Sequence, residues 1–148
     1  MVVYEDEELI SAPRDVVWKL LDDHLNEAKV VEIHPLIRSQ TTVRLSDSQV
    51  VLDRVIDVNR KPKRSRWKVA CERPGRVRWE ILESEGPWTR GSYLELTYHE
   101  LPWGTKVRSH GELEIAARSL FLSPERAVAV VLNDLHTEDL AYLRRYRF

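Results

Sequence analysis

From Leu36 to Ile115 apolar and polar residues alternate with a period of two, a run of roughly eighty residues that commits most of the chain to half-buried strands. Short breakers divide the run. Ser46-Asp47-Ser48, the basic segment Arg60-Lys61-Pro62-Lys63, Pro74-Gly75, Gly86-Pro87 and Pro102-Trp103-Gly104 each read as a turn. Parity then sorts the residues between turns into faces. Ile37, Ser39, Thr41, Val43 and Leu45 share one face of the first stretch, and Val50, Leu52, Arg54, Ile56 and Val58 share one face of the next. Trp67, Val69 and Cys71 follow, then Val77, Trp79 and Ile81, then Leu94, Leu96 and Tyr98, and last Val107, Leu113 and Ile115. Six consecutive strands joined by tight turns predict an antiparallel meander with one apolar face and one wet face.

The flanks complete the architecture. Val2 to Ile10 reads as a further strand, and Ser11-Ala12-Pro13 as a helix start with Pro13 at the first helical position, where its missing N–H costs nothing. Val17, Leu20, Leu21 and Leu25 supply that helix with a buried stripe. Asn26 to Ile33 reads as a second short helix, ended by His34-Pro35. Ser123-Pro124-Glu125 opens a long terminal helix that nothing interrupts before about Tyr146, with Val128, Val131, Leu135 and Tyr142 on one stripe. At about 34 Å this helix matches a ten-residue strand in length, so it can lie across the inner face of the sheet. The predicted fold is α+β: one domain over residues 1–148, with a seven-stranded antiparallel sheet curled around the C-terminal helix and two short helices after strand 1. One helix does not fill so wide a sheet, and a residual cavity between the two is expected.

Composition narrows the partners. With 23 Lys+Arg against 24 Asp+Glu, the formal charge of -1 leaves no whole-molecule footprint for nucleic acid or anionic membrane. The segment Arg60 to Arg78 is basic, with Glu72 its one acid, but parity turns Trp67 and Trp79 inward and Arg64, Arg66, Lys68, Arg76 and Arg78 outward. Asp53, Asp57, Glu80 and Glu95 face the same way on neighbouring strands, so cross-strand ion pairs rather than base stacking are expected. No apolar run approaches the ~20 residues of a membrane span, and the acidic start lacks the pattern of a signal peptide. Cys71 stands alone, so no intrachain disulfide forms and a reducing, cytoplasmic setting is expected. His24, His34, His99, His110 and His136 are scattered without ligand spacing, and phosphate-binding, dinucleotide and nucleophile-elbow motifs are lacking, so neither a metal nor another cofactor is expected. Scarce Met, Cys, Asn and Gln, with Arg exceeding Lys, hint at a hot or GC-rich source.

Three short motifs carry a family resemblance. Ile10-Ser11-Ala12-Pro13 with Val17-Trp18, His34-Pro35-Leu36-Ile37 at the entry to the second strand, and Gly104-Thr105-Lys106-Val107 opening the last strand resemble those of the START-like, birch-pollen-allergen-like superfamily. This is the helix-grip fold that includes polyketide cyclase/dehydrase-like proteins, and the resemblance runs over essentially the whole chain. It implies an internal cavity for an apolar or amphipathic small molecule such as a lipid, sterol, quinone or polyketide. Only some members add chemistry to that cavity.

Arg54 is the outstanding candidate, because parity aims it at the apolar side, where a charge needs a partner or a ligand. It would hold a ligand carboxylate or phenolate. The alternatives are a structural ion pair with Glu8, Glu83, Asp134 or Glu138, or a bulge that turns it outward. Trp67, Val69, Trp79, Ile81, Leu96 and Tyr98 would form the sheet wall of the pocket, and Val128, Val131 and Leu135 the helix wall. A cyclase-like enzyme would instead shuttle protons through Arg54, Tyr98 or Asp134, which requires at least two of them to converge. A third reading, a module that docks a larger protein, would expose Trp103 and Phe121-Leu122 as an apolar patch.

Overall fold

The computed structural model describes residues 2–33, 37–58, 60–85 and 90–114. The elements run β1 (Val2–Ile10), α1 (Arg14–His24), α2 (Glu27–Ile33), β2 (Ile37–Arg44), β3 (Gln49–Val58), β4 (Lys61–Glu72), β5 (Arg76–Ser84), β6 (Tyr93–Leu101) and β7 (Gly104–Leu113). They form one antiparallel sheet of seven strands in the order β1-β7-β6-β5-β4-β3-β2, which is the predicted meander with β1 added beside β7. The long terminal helix, with Val128, Val131, Asp134 and Leu135, lies outside the described residues, as do the His34-Pro35-Leu36 motif, the Gly86-Pro87 break, Ile115 and Phe121-Leu122.

Alternation becomes burial where the register is regular. Leu52, Trp67, Val69, Val77, Trp79, Ile81, Leu94, Leu96, Tyr98, Val107 and Leu113 form one buried cluster with Val17, Trp18, Leu20 and Leu21 of α1. The outer face carries the charges. Arg66 pairs with Asp53 at 2.8 Å and with Glu83 at 3.7 Å, Arg76 and Arg78 share Glu95, and Arg38 pairs with Asp57. These are solvent-exposed cross-strand pairs that neutralise the basic segment while contributing little stability each.

Three expectations need correction. Pro13 sits one position earlier than expected, at the N-cap of α1, where its carbonyl accepts from Val16 and Val17 N–H. The basic turn is largely strand: Lys61 already pairs with Val58, and Pro62 with Asp57, because a two-residue connection suffices to reverse the chain. On β2 the expected single face is split. A bulge after Ile37 makes Arg38 the extra residue, so Ile37 is buried opposite Ile56 while Ser39, Thr41 and Val43 are exposed and Gln40 is buried instead.

The Asn26 side chain opens α2 by accepting from Ala28 and Lys29 N–H. In its first turn, Glu27 accepts from both the backbone N–H (2.6 Å) and the hydroxyl of Thr42 on the edge strand β2. Those bonds, the backbone one first, hold the Glu27 carboxyl below its usual range. A depressed carboxyl stabilises the fold above its unfolded pKa, and the contribution fades as pH falls through the folded one. Glu27→Gln is therefore expected to lower Tm at neutral pH, with the difference from wild type shrinking as the pH falls through the lowered titration of Glu27. Paired thermal melts across that range check it, and a pH-independent difference would refute the assignment.

Candidate functional site: a buried arginine on the inner face

The inner face of the sheet can be read as register rows. Arg54, Ser65 and Ser84 form the first, and Leu52, Trp67 and Ile81 the second. Val50, Val69, Trp79, Leu94, Gly111 and Tyr4 form the third, Cys71, Val77, Leu96, Ser109 and Asp6 the fourth, and Tyr98, Val107 and Glu8 the fifth. Arg54 belongs to the apolar side, as parity predicts, and is 1% exposed. Its guanidinium stays charged at any ordinary pH, so water has been exchanged here for protein groups.

Those groups come from three elements. Arg54 Nε donates to Gln40 Oε1 at 2.9 Å, and Gln40 Nε2 donates to the backbone carbonyl of His24 at 2.9 Å. His24, the last residue of α1, is itself buried, with its ring Nδ1 2.8 Å from the Leu20 carbonyl. The carbonyl end of α1, which carries partial negative charge, therefore orients Gln40 and through it the arginine. The guanidinium carbon lies 5.4 Å from the centre of the Trp79 ring, a cation–π contact. Trp79 meets Trp67 edge to face at 6.1 Å, and Trp67 Nε1 donates to Ser65 Oγ at 2.9 Å. The result is a fixed cation backed by two indoles on a wall otherwise made of Leu, Val and Ile.

Of the sequence-predicted wall, Trp67, Val69, Trp79, Ile81, Leu96 and Tyr98 are all buried on this face. Tyr98 lies four register rows from Arg54 and packs edge to face against Trp18 of α1 at 5.7 Å. Two of the ion-pair alternatives are among the described residues. Glu83 faces outward against Arg66, because the bulge at Leu82 reverses its phase, and Glu8 is in the row of Tyr98 on the far edge strand. Asp134, Glu138, Val128, Val131 and Leu135 lie outside the described residues. Parity misses Gln40, since the bulge that turns it inward leaves no apolar signal in Ser39-Gln40-Thr41-Thr42.

Two clefts border these rows. One of about 640 Å³ lies across β2, β3, β4 and the end of β5, lined by Arg54, Ser65 and Ser84 of the first row together with the outer-face residues Asp53, Arg64 and Arg66. The other, about 360 Å³, lies at the end of the sheet between Leu25, Val50 and Cys71, rimmed by the Arg73–Asp22 ion pair. Burial pushes the Cys71 thiol up, which keeps it protonated and a poor nucleophile at neutral pH. No group of three or more His, Cys, Asp or Glu suited to a metal occurs among the described residues. Nor is any helix among them long and apolar enough to cross a membrane.

No protein-family model and no curated protein sequence matches the chain. Solved structures do resemble it. A START superfamily protein from Mycobacterium smegmatis superposes with a TM-score of 0.75 at 10% identity, over 97% of each chain. The Zhui aromatase/cyclase from Streptomyces sp. R1128 gives 0.71 at 18% identity, over 97% of this chain and 89% of the other. Ara h 8.0201 gives 0.77 at 13% identity, over 98% and 99%. Identities this low speak for architecture alone, and with the seven-stranded order and the short helices after β1 they place this chain in the START-like fold that its motifs resemble.

Proposed function

We propose that this protein binds an apolar or amphipathic small molecule against the inner face of its sheet, with Arg54 as the polar anchor and Trp67, Val69, Trp79, Ile81, Leu96 and Tyr98 as the wall. Val128, Val131 and Leu135 would close the pocket from the terminal helix. The observation that carries the reading is a 1%-exposed arginine, aimed by Gln40 and stacked on Trp79, in an apolar wall. Such a cation fits a ligand with a carboxylate, phenolate or polarised carbonyl at one end and rings or alkyl chain behind it. The corresponding role is carriage or sequestration of that molecule. A cyclase/aromatase, the activity of one structural relative, would use the same arginine, with Tyr98 four register rows away on the same face. Of the patch that would dock a larger protein, Trp103 is 56% exposed, while Phe121-Leu122 lie outside the described residues.

Native mass spectrometry of the purified protein tests the reading. A reproducible bound species, released on denaturation and carrying an acidic or carbonyl group on an apolar body, is expected. A clean apo mass, with no uptake from a panel of fatty acids, quinones and aromatic ketones, would remove it.

A further inference from the structure

Another buried polar atom belongs to α1. Trp18 is 4% exposed, and its indole Nε1 is buried without a hydrogen-bond partner among the described residues. Trp67 shows the ordinary solution, since its Nε1 reaches Ser65 Oγ. A buried N–H without an acceptor costs about 1–3 kcal/mol, so packing alone gives Trp18 no use for its nitrogen. The ring is held firmly all the same. It stands at 89° to Tyr98, and the Arg73 guanidinium lies 5.2 Å from its centre, tied to Asp22 one helical turn along α1. Tyr98 belongs to the inner face, so α1 presents this indole at the end of that face remote from Arg54.

We propose that Trp18 Nε1 is the hydrogen-bond donor for a neutral acceptor oxygen, a ketone, ester or quinone carbonyl, on the molecule that occupies the inner face. The inference deepens the binding reading and rests on it. Indole is a donor only, which selects an acceptor. Val17, Leu21 and Tyr98 of the same cluster are apolar and the nearby Arg73 charge is already answered by Asp22, so a neutral acceptor is favoured over a charged one. Arg54 takes the acidic or polarised end of the ligand, and Trp18 a second oxygen at the other, so an elongated molecule oxygenated at both ends is the best fit.

Two fluorescent probes test this, the naphthyl ketone prodan and the hydrocarbon diphenylhexatriene. Wild type is expected to bind both. Trp18→Phe is expected to weaken prodan about tenfold, the worth of one hydrogen bond, while leaving diphenylhexatriene within about twofold. In wild type, the indole N–H resonance of Trp18 should move downfield with prodan and stay in place with the hydrocarbon, a readout that does not depend on the variant folding. Equal weakening of both probes, unchanged prodan affinity or an unmoved indole resonance would overturn the proposal, the last because the N–H is then spent on the Tyr98 ring. If wild type binds neither probe, the binding reading itself falls, which separates the two failures.

Discussion

Arg54→Met is expected to weaken binding of anilinonaphthalene sulfonate, an anionic head on an aromatic body, by about 10- to 100-fold. A hydrogen bond to a charged group is worth about 1.5–3 kcal/mol, and each 1.4 kcal/mol is a factor of ten in affinity. Met keeps most of the volume and the contact with Trp79, so the apolar part of the binding energy survives. The variant should also lose about 1–3 kcal/mol of stability, because Gln40 Oε1 loses its donor in a buried setting. Fluorescence titration and urea unfolding separate the two effects. Arg54→Lys is a useful companion: it keeps the charge but not the planar fork that satisfies Gln40 and stacks on Trp79, so it should restore only part of the affinity. Unchanged affinity in the Met variant would mean that Arg54 is structural.

Gly104→Ala is expected to be among the most damaging single-methyl changes in the molecule. A Cβ at Gly104 would stand 2.1 Å from the carbonyl oxygen of Ile10, and 3.3 Å from Ser11 Cα. Both obstacles are backbone, so no side chain can rotate away, and β1 must separate from β7 where Ile10 pairs with Thr105. The adjacent Thr105 hydroxyl donates to the Ala12 carbonyl at 2.7 Å, pinning the corner that leads into α1. Losing this junction should cost about 3 kcal/mol or more, on the order of 10 °C in Tm. Gly75→Ala is the control, since nothing lies within 4 Å of the place its methyl group would take, and it should melt close to wild type. Equal melting of the two variants would show that the β1–β7 contact yields more easily than its geometry implies.

The same junction shows how far the residue pattern reaches. Gly104-Thr105 is readable as a motif, yet its reason, a backbone approach to Ile10 from the other end of the chain, becomes visible only when β1 lies beside β7. Parity places Arg54 inward because β3 runs without a bulge from Gln49 to Val58. It cannot supply Gln40, because that orientation depends on one extra residue, Arg38, in a strand whose Ser and Thr carry no hydrophobic phase. Glu83 departs from its expected face for the same reason, with Leu82 as the inserted residue. Tyr98 has the expected face but a different neighbourhood: alternation tells which side a residue faces, whereas its row is set by the pairing of β6 with β7. Trp18 reads as part of a helix-start motif, and nothing in its spacing reveals that its nitrogen is left without an acceptor among the described residues.

The central claim is that the inner face holds a ligand through Arg54, and a co-crystal structure with anilinonaphthalene sulfonate addresses it directly. The sulfonate is expected within hydrogen-bonding distance of the Arg54 guanidinium, with the naphthalene rings against Trp79. A sulfonate seated instead against Arg64 and Arg66 and out of reach of Arg54, or rings resting on the exposed Trp103 with the inner face unoccupied, would contradict it.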